Sequence, residues 1–117
     1  MSDVLDCKPL SVFIPESYGG RGGDSAEALS MLEVSSYHSL PLSLMMGING
    51  ALFLQPVANY AADSTKTSIF EGVLEHNKMG GLMITEPGFG SDALRMQTSY
   101  RGEGASYRVK GTKHWAG

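Results

Sequence analysis

Leu82-Met83-Ile84-Thr85-Glu86-Pro87-Gly88-Phe89-Gly90-Ser91-Asp92 is the stretch in which the chain changes its periodicity. Leu82 to Thr85 is a short apolar run that reads as a buried strand, and Glu86-Pro87-Gly88 reads as the turn that ends it. A hydroxyl closes that strand, and a glycine-bearing loop then leads to a second hydroxyl, Ser91. Glycines let a backbone approach a ligand closely, and loop N–H groups can bind phosphate oxygens. On these residues alone, a ligand-binding loop and a plain turn are both open.

Downstream, Met96, Thr98 and Tyr100 alternate with Gln97, Ser99 and Arg101, which is strand periodicity. Gly102-Glu103-Gly104-Ala105 reads as a turn, with Tyr107 and Val109 on the return strand. A further turn at Gly111-Thr112 leads into Lys113-His114-Trp115.

Upstream the pattern is helical. Val12-Phe13-Ile14 is an apolar anchor, after which Pro15 biases the backbone away from helix. A glycine-rich loop covers Tyr18 to Gly23. Asp24 with Glu27 three residues on reads as a capping box, so a helix should start near Ser25 and end about Ser39, before Pro41. A second helix is expected over Leu42 to about Ala61, with Gly47, Gly50 and Pro56 as weak points. Asp63 or Ser64 is the expected cap of a third, in which Ile69 pairs with Val73 and Phe70 with Leu74. That helix should end near His76-Asn77-Lys78, where positive charge suits a C-terminus. Gly80-Gly81 closes the helical half. The expected fold class is α+β: about three helices, then the first strands of an incomplete antiparallel β-barrel-like domain.

The composition narrows the function classes. The 117 residues are 42% hydrophobic and 18% charged, which suits a packed core rather than a disordered tail. One cysteine, Cys7, excludes an internal disulfide, and His38, His76 and His114 lie too far apart in sequence to suggest a metal site. A net charge of −3 argues against nucleic acid as a partner. The charge is uneven, since residues 93–117 hold five bases against one acid. We read that patch as a solvated hairpin face.

Met1 to Leu10 has no apolar core of a signal peptide, and the expected location is cytoplasmic. Val34 to Ala62 lacks any charged residue, but Pro41, Asn49, Gln55, Pro56 and Asn59 interrupt it. Its best run, Leu42 to Leu54, is shorter than the roughly 20 residues of a membrane span, so a helix buried inside protein is expected.

Three segments together resemble the flavin-dependent acyl-CoA dehydrogenases. Ile14-Pro15-Glu16-Ser17-Tyr18-Gly19-Gly20-Arg21-Gly22 resembles an N-terminal loop of that family. Thr85-Glu86-Pro87 with Gly90-Ser91-Asp92 is similar to its flavin signature, and Tyr107 to Trp115 to the stretch that follows. The segments occur in family order across nearly the whole chain. The resemblance implies that residues 1–79 are part of an N-terminal helical domain, and that residues 80–117 open a middle β-domain.

It also implies site roles. Leu82 and Ile84 would lie along the flavin with backbone groups facing the isoalloxazine edge, and Thr85 would offer its hydroxyl to the ring. Ser91 would sit near the flavin pyrophosphate and the acyl-CoA substrate, and Trp115 would pack against the flavin face. Each has a plainer alternative: Leu82 and Ile84 as core, Thr85 as a strand-end hydroxyl, Trp115 as a filler between domains. The family usually places an apolar residue and then Thr or Ser after this Trp. Ala116-Gly117 stand there instead, so Gly117 offers a backbone N–H and no hydroxyl.

Glu86 is the tempting base for removing the α-proton, but the family's base comes from a C-terminal helical domain absent here. Glu86 is therefore expected to accept hydrogen bonds within its own turn. The resemblance implies FAD as cofactor, acyl-CoA as substrate and electron-transfer flavoprotein as electron acceptor. It also implies a homo-oligomeric full-length protein acting in fatty acid metabolism, and a fragment inactive alone. An acyl-CoA oxidase or flavin monooxygenase of the same fold is the nearest alternative. A non-catalytic helical interaction module is the alternative of another class.

Overall fold

The structure is a computed structural model that describes residues 4, 6–90 and 92–114. It divides into two compact units, Met1–Gly81 and Leu82–Gly117.

The longest helices among the described residues of the first unit are three, preceded by short 3-10 turns at Pro9–Phe13 and Glu16–Tyr18. Helix α1 spans Ser25–His38, and its cap is Asp24, whose side chain accepts the Glu27 N–H at 2.8 Å. The expected box is only half closed, because the Glu27 carboxylate takes the Arg21 guanidinium at 2.6 Å instead. The chain breaks at Ser39, which is extended, and Ser39 Oγ caps the next helix by accepting the Leu42 N–H at 3.4 Å. Pro41 explains the break: inside a continuous helix its ring would strike the Tyr37 carbonyl, whereas in a first turn its missing N–H costs nothing.

Helix α2 runs from Leu40 to Tyr60. Its middle, Ile48–Leu54, is π-helical, and the Gln55 N–H reaches back five residues to the Gly50 carbonyl. The wide turn sits directly before Pro56, which has no N–H to give and would crowd the Leu52 carbonyl in a regular helix. At Gly50 the Phe13 ring lies where a Cβ would stand. Buried Asn49 donates to the Met45 carbonyl at 2.9 Å and accepts the Gly80 N–H at 2.8 Å.

Two features of this helix bear on the expectations drawn from its sequence. It is 21 residues long and apolar enough to cross a membrane by length and composition, which is also true of many core helices of soluble proteins. Nor is it buried within this chain: only 22% of its most apolar window is, and Leu40, Leu44, Ile48 and Leu52 are exposed four residues apart. At that spacing these side chains fall along one side of the helix, and no described residue buries them.

Helix α3 spans Asp63–His76. The sequence pointed to Asp63 or Ser64 as its cap, but the cap is Ala62, which makes no side-chain bond. Asp63 is already the first helical residue, and its carboxylate accepts the Tyr18 hydroxyl at 3.1 Å. The helix ends as expected at Asn77, left-handed with φ 49°, and the Lys78 N–H returns to the Gly72 carbonyl at 3.0 Å. The core lies between α2, α3 and the N-terminal loop: Ile14, Leu54, Phe70, Val73 and Leu74, with Tyr18 edge-on to Phe70.

The second unit is an antiparallel hairpin with irregular flanks. Strand β1 (Ser99–Glu103) pairs with β2 (Ser106–Lys110) in the register Tyr100↔Val109 and Arg101↔Arg108. Gly104, at φ 64°, takes the first position of the two-residue loop, where a left-handed backbone favours glycine. Pro87-Gly88 forms the expected turn: Gly88 has φ 81°, and the Phe89 N–H closes on the Glu86 carbonyl at 3.1 Å.

Leu82 to Thr85 is not the buried strand that its composition suggested. The segment has no regular structure, and Leu82, Met83 and Ile84 are exposed. A strand exists only when another pairs its backbone, and among the described residues of this unit β1 and β2 pair with each other alone.

Candidate functional site

Pro87-Gly88 turns the chain directly after Glu86, and the site is built around that residue. Glu86 is 5% exposed. Its carboxylate accepts the Gln97 N–H at 2.7 Å, the Thr98 N–H at 2.9 Å and the Lys113 ammonium at 2.9 Å. The Lys113 ammonium also donates to the Ile84 carbonyl at 3.2 Å, and the His114 N–H to the Thr85 carbonyl at 3.0 Å. The expectation that Glu86 serves its own turn is therefore corrected. Its backbone carbonyl does, while its side chain ties the turn to the start of the hairpin and to the segment after it.

The electrostatics follow from those partners. The adjacent Thr98 side chain, then the Gln97 N–H and the Lys113 ammonium, hold the Glu86 carboxyl far below the ordinary carboxylate value, at about 2, against the opposing effect of burial. The Thr98 hydroxyl lies beside the carboxylate without meeting hydrogen-bond geometry, and among the described residues it is the buried side-chain polar atom left without a partner. It packs on Gly111, where a Cβ would stand 2.1 Å from that oxygen.

The residues singled out by the sequence fall as follows. Leu82 and Ile84 lie exposed in a segment without regular structure, and Thr85 is half-buried. Among the described residues, nothing pairs the N–H groups of Leu82, Met83, Ile84 or Thr85, or the Thr85 hydroxyl. Ser91, Trp115 and Gly117 lie outside the described residues. Gly88 and Gly90 both face open space, with nothing within 4 Å of an added Cβ. An open hollow of about 550 Å³ is bounded by Glu86, Pro87, Phe89, Gln97 and Lys110.

Lys113 was missed as a partner of Glu86. The sequence carried no signal for that choice, since five bases lie downstream of Glu86 and spacing alone does not tell which of them it meets.

Comparison with known proteins bears on the whole arrangement. Residues 8–77 match the acyl-CoA dehydrogenase N-terminal domain. The chain belongs to the acyl-CoA dehydrogenase family. It is 34% identical over 107 residues to the human mitochondrial short-chain specific acyl-CoA dehydrogenase, covering 91% of this chain and 26% of that protein. It is 30% identical to a probable acyl-CoA dehydrogenase of Bacillus subtilis, covering 91% of this chain and 18% of that protein. An acyl-CoA dehydrogenase of Mycobacterium tuberculosis is also 30% identical, with 89% of this chain and 26% of the relative covered. The chain thus spans about a quarter or less of the relatives it matches.

These acyl-CoA dehydrogenases are oxidoreductases of fatty acid metabolism, and the helices-then-hairpin order observed here agrees with an N-terminal helical domain leading into a β-domain. The expected cytoplasmic location is overturned, because the human and rat relatives are named mitochondrial. Other relatives are bacterial, so family membership does not fix a compartment.

Proposed function

We propose that this chain supplies one edge of the flavin site of an acyl-CoA dehydrogenase, with residues 1–79 belonging to its N-terminal helical domain and residues 80–117 to the start of its β-domain. The observation that carries the reading is the Leu82–Thr85 segment. It offers consecutive backbone donors and a hydroxyl, all without partners among the described residues, on a backbone anchored at Ile84 and Thr85 by Lys113 and His114. The polar edge of an isoalloxazine ring carries carbonyls and ring nitrogens that such donors fit.

FAD, when bound, accepts the hydride that leaves the β-carbon of an acyl-CoA thioester, giving the 2,3-enoyl product. Within this chain, Leu82, Ile84 and Thr85 orient the ring edge, Ser91 meets the pyrophosphate and the substrate, and Trp115 covers the ring face. Gly117 contributes a backbone N–H. The α-proton goes to a carboxylate from outside this chain. Glu86 does not take it, since its oxygens already hold three donors and a carboxyl titrating at about 2 is a poor base near neutrality. The full protein acts as a homo-oligomer and passes its electrons to an electron-transfer flavoprotein.

Anaerobic titration of the purified full-length protein with saturated acyl-CoA thioesters tests this. Bound flavin absorbance should bleach as enoyl product forms, and a protein that purifies without flavin and binds none would overturn the reading. Gly117, standing where the family has a hydroxyl, favours a second reading in which oxygen reoxidises the flavin. Oxygen consumption during turnover distinguishes the two.

A further inference from the structure

Three consecutive residues, Ile84, Thr85 and Glu86, each accept a bond from Lys113 or His114. Neither segment belongs to a strand, so no ladder sets their separation. The hydrogen bonds themselves do. Glu86 is also the one buried residue among those described in its unit, and its ammonium partner is four-fifths buried. A carboxylate in such a place is tolerated only when paired and fully bonded, and removing one partner strands the other charge.

We propose that the Glu86–Lys113 pair is a positioning device that fixes the Leu82–Thr85 backbone against Lys113–His114 and thereby sets the height of the flavin-facing donors. The proposal rests on the flavin reading above. Neither side chain touches the cofactor; both act through the backbone that does. Glu86 pulls from one side, drawing Gln97 and Thr98 onto the turn, and Lys113 pulls from the other, drawing in the Ile84 carbonyl. The contact of Thr98 with Gly111 closes the same layer without room for a Cβ. A site whose supporting groups are loosened by even ~1 Å loses much of its grip on a rigid ligand.

The test uses the full-length protein and the variants Glu86→Gln, Lys113→Met and Lys113→Arg. Glu86→Gln and Lys113→Met should each raise the dissociation constant for FAD about tenfold and shift the visible flavin spectrum. Their combination should be no weaker than either alone, because the two groups act as one unit. Lys113→Arg, which keeps the charge, should stay within about threefold of wild type. Amide exchange read without cofactor should speed up at Gln97, Thr98 and His114 in the two neutralised variants. Variants with lowered thermal midpoints but wild-type FAD affinity and spectrum would overturn the proposal, as would unaltered exchange. If the wild-type protein itself binds no FAD, the flavin reading falls and takes the proposal with it. Wild-type binding with unmoved variants overturns the positioning role alone.

Discussion

The two units of this chain are held by opposite means. In Met1–Gly81 the core is an apolar cluster with Ile14, Leu54 and Phe70 at the centre, and the polar residues buried beside it, Ser11, Ser35 and Asn49, are uncharged. In Leu82–Gly117 the one buried described residue is a carboxylate, and every described residue of the two strands except Glu103 is exposed. Apolar burial is non-directional and stabilises in proportion to area, about 25 cal/mol per Å². A two-stranded hairpin has little such area and is marginal by itself. The second unit therefore keeps its loops in place by directional bonds to Glu86. The difference teaches where each unit is vulnerable: the first to loss of volume, the second to loss of charge.

The largest expected effect breaks the first half of that comparison. Phe70 is 0% exposed and meets Tyr18 edge-on with centroids 5.2 Å apart. Phe70→Ala should cost about 3–5 kcal/mol, from lost transfer energy and the cavity left behind. Denaturant unfolding of the full-length protein, followed by helical circular dichroism, measures it. A cost below about 1 kcal/mol would mean that the apolar cluster is not what holds this unit.

Next comes a backbone-limited position in the same unit. A Cβ on Gly20 would stand 2.0 Å from the Ile14 carbonyl oxygen, and a main-chain atom cannot swing aside. Gly20→Ala should destabilise by about 1–3 kcal/mol, the range of overpacking. The same unfolding experiment reads it. Neutral behaviour would show that the N-terminal loop can shift without disturbing Ile14.

Much of the first unit was legible because its signals are local. Asp24 marks a cap, Pro41 a break and Asn77 an end, and each acts within about one and a half helical turns of itself. Pro87-Gly88 and Gly104 are equally local, and the hairpin followed from them. Leu82 to Thr85 misled because strand composition says nothing about whether a partner strand is at hand. Asp63 misled as a cap because Tyr18, 45 residues away in sequence, claims its carboxylate. Glu86 was read as serving its own turn for the same reason: its side-chain partners lie 11 to 27 residues further on. The site was partly legible by resemblance, yet Ser91, Trp115 and Gly117 fall outside the described residues.

Acid sharpens the second half of the comparison. The Glu86 carboxyl titrates at about 2 when folded and near 4.5 ordinarily, so protonation favours the unfolded state. Its contribution is complete above about pH 4.5 and disappears as the pH falls through about 2. Amide protection at Gln97 and Thr98 should therefore persist to about pH 3 and be lost below it. In Glu86→Gln that acid step should vanish. Protection lost already at pH 5 would show that another group holds the hairpin base.

The smallest effect is expected from the most visible charges. Arg101 and Arg108 are cross-strand partners, like charges set opposite each other, and both turn to Glu103, at 3.3 and 2.7 Å. Glu103 cancels the repulsion that the pairing would otherwise create, which explains an acid at the end of β1 beside two cross-strand guanidinium groups. The guanidinium groups are 79% and 69% exposed, so water already solvates them and the pairs stabilise little. Neutralising both, as Arg101→Gln with Arg108→Gln, should leave the thermal midpoint and the acyl-CoA KM of the full-length protein nearly unchanged. A several-fold rise in KM would make this face a phosphate contact rather than a solvated one. The second unit would then use charge in two places, one buried to hold its backbone and one exposed to hold a ligand.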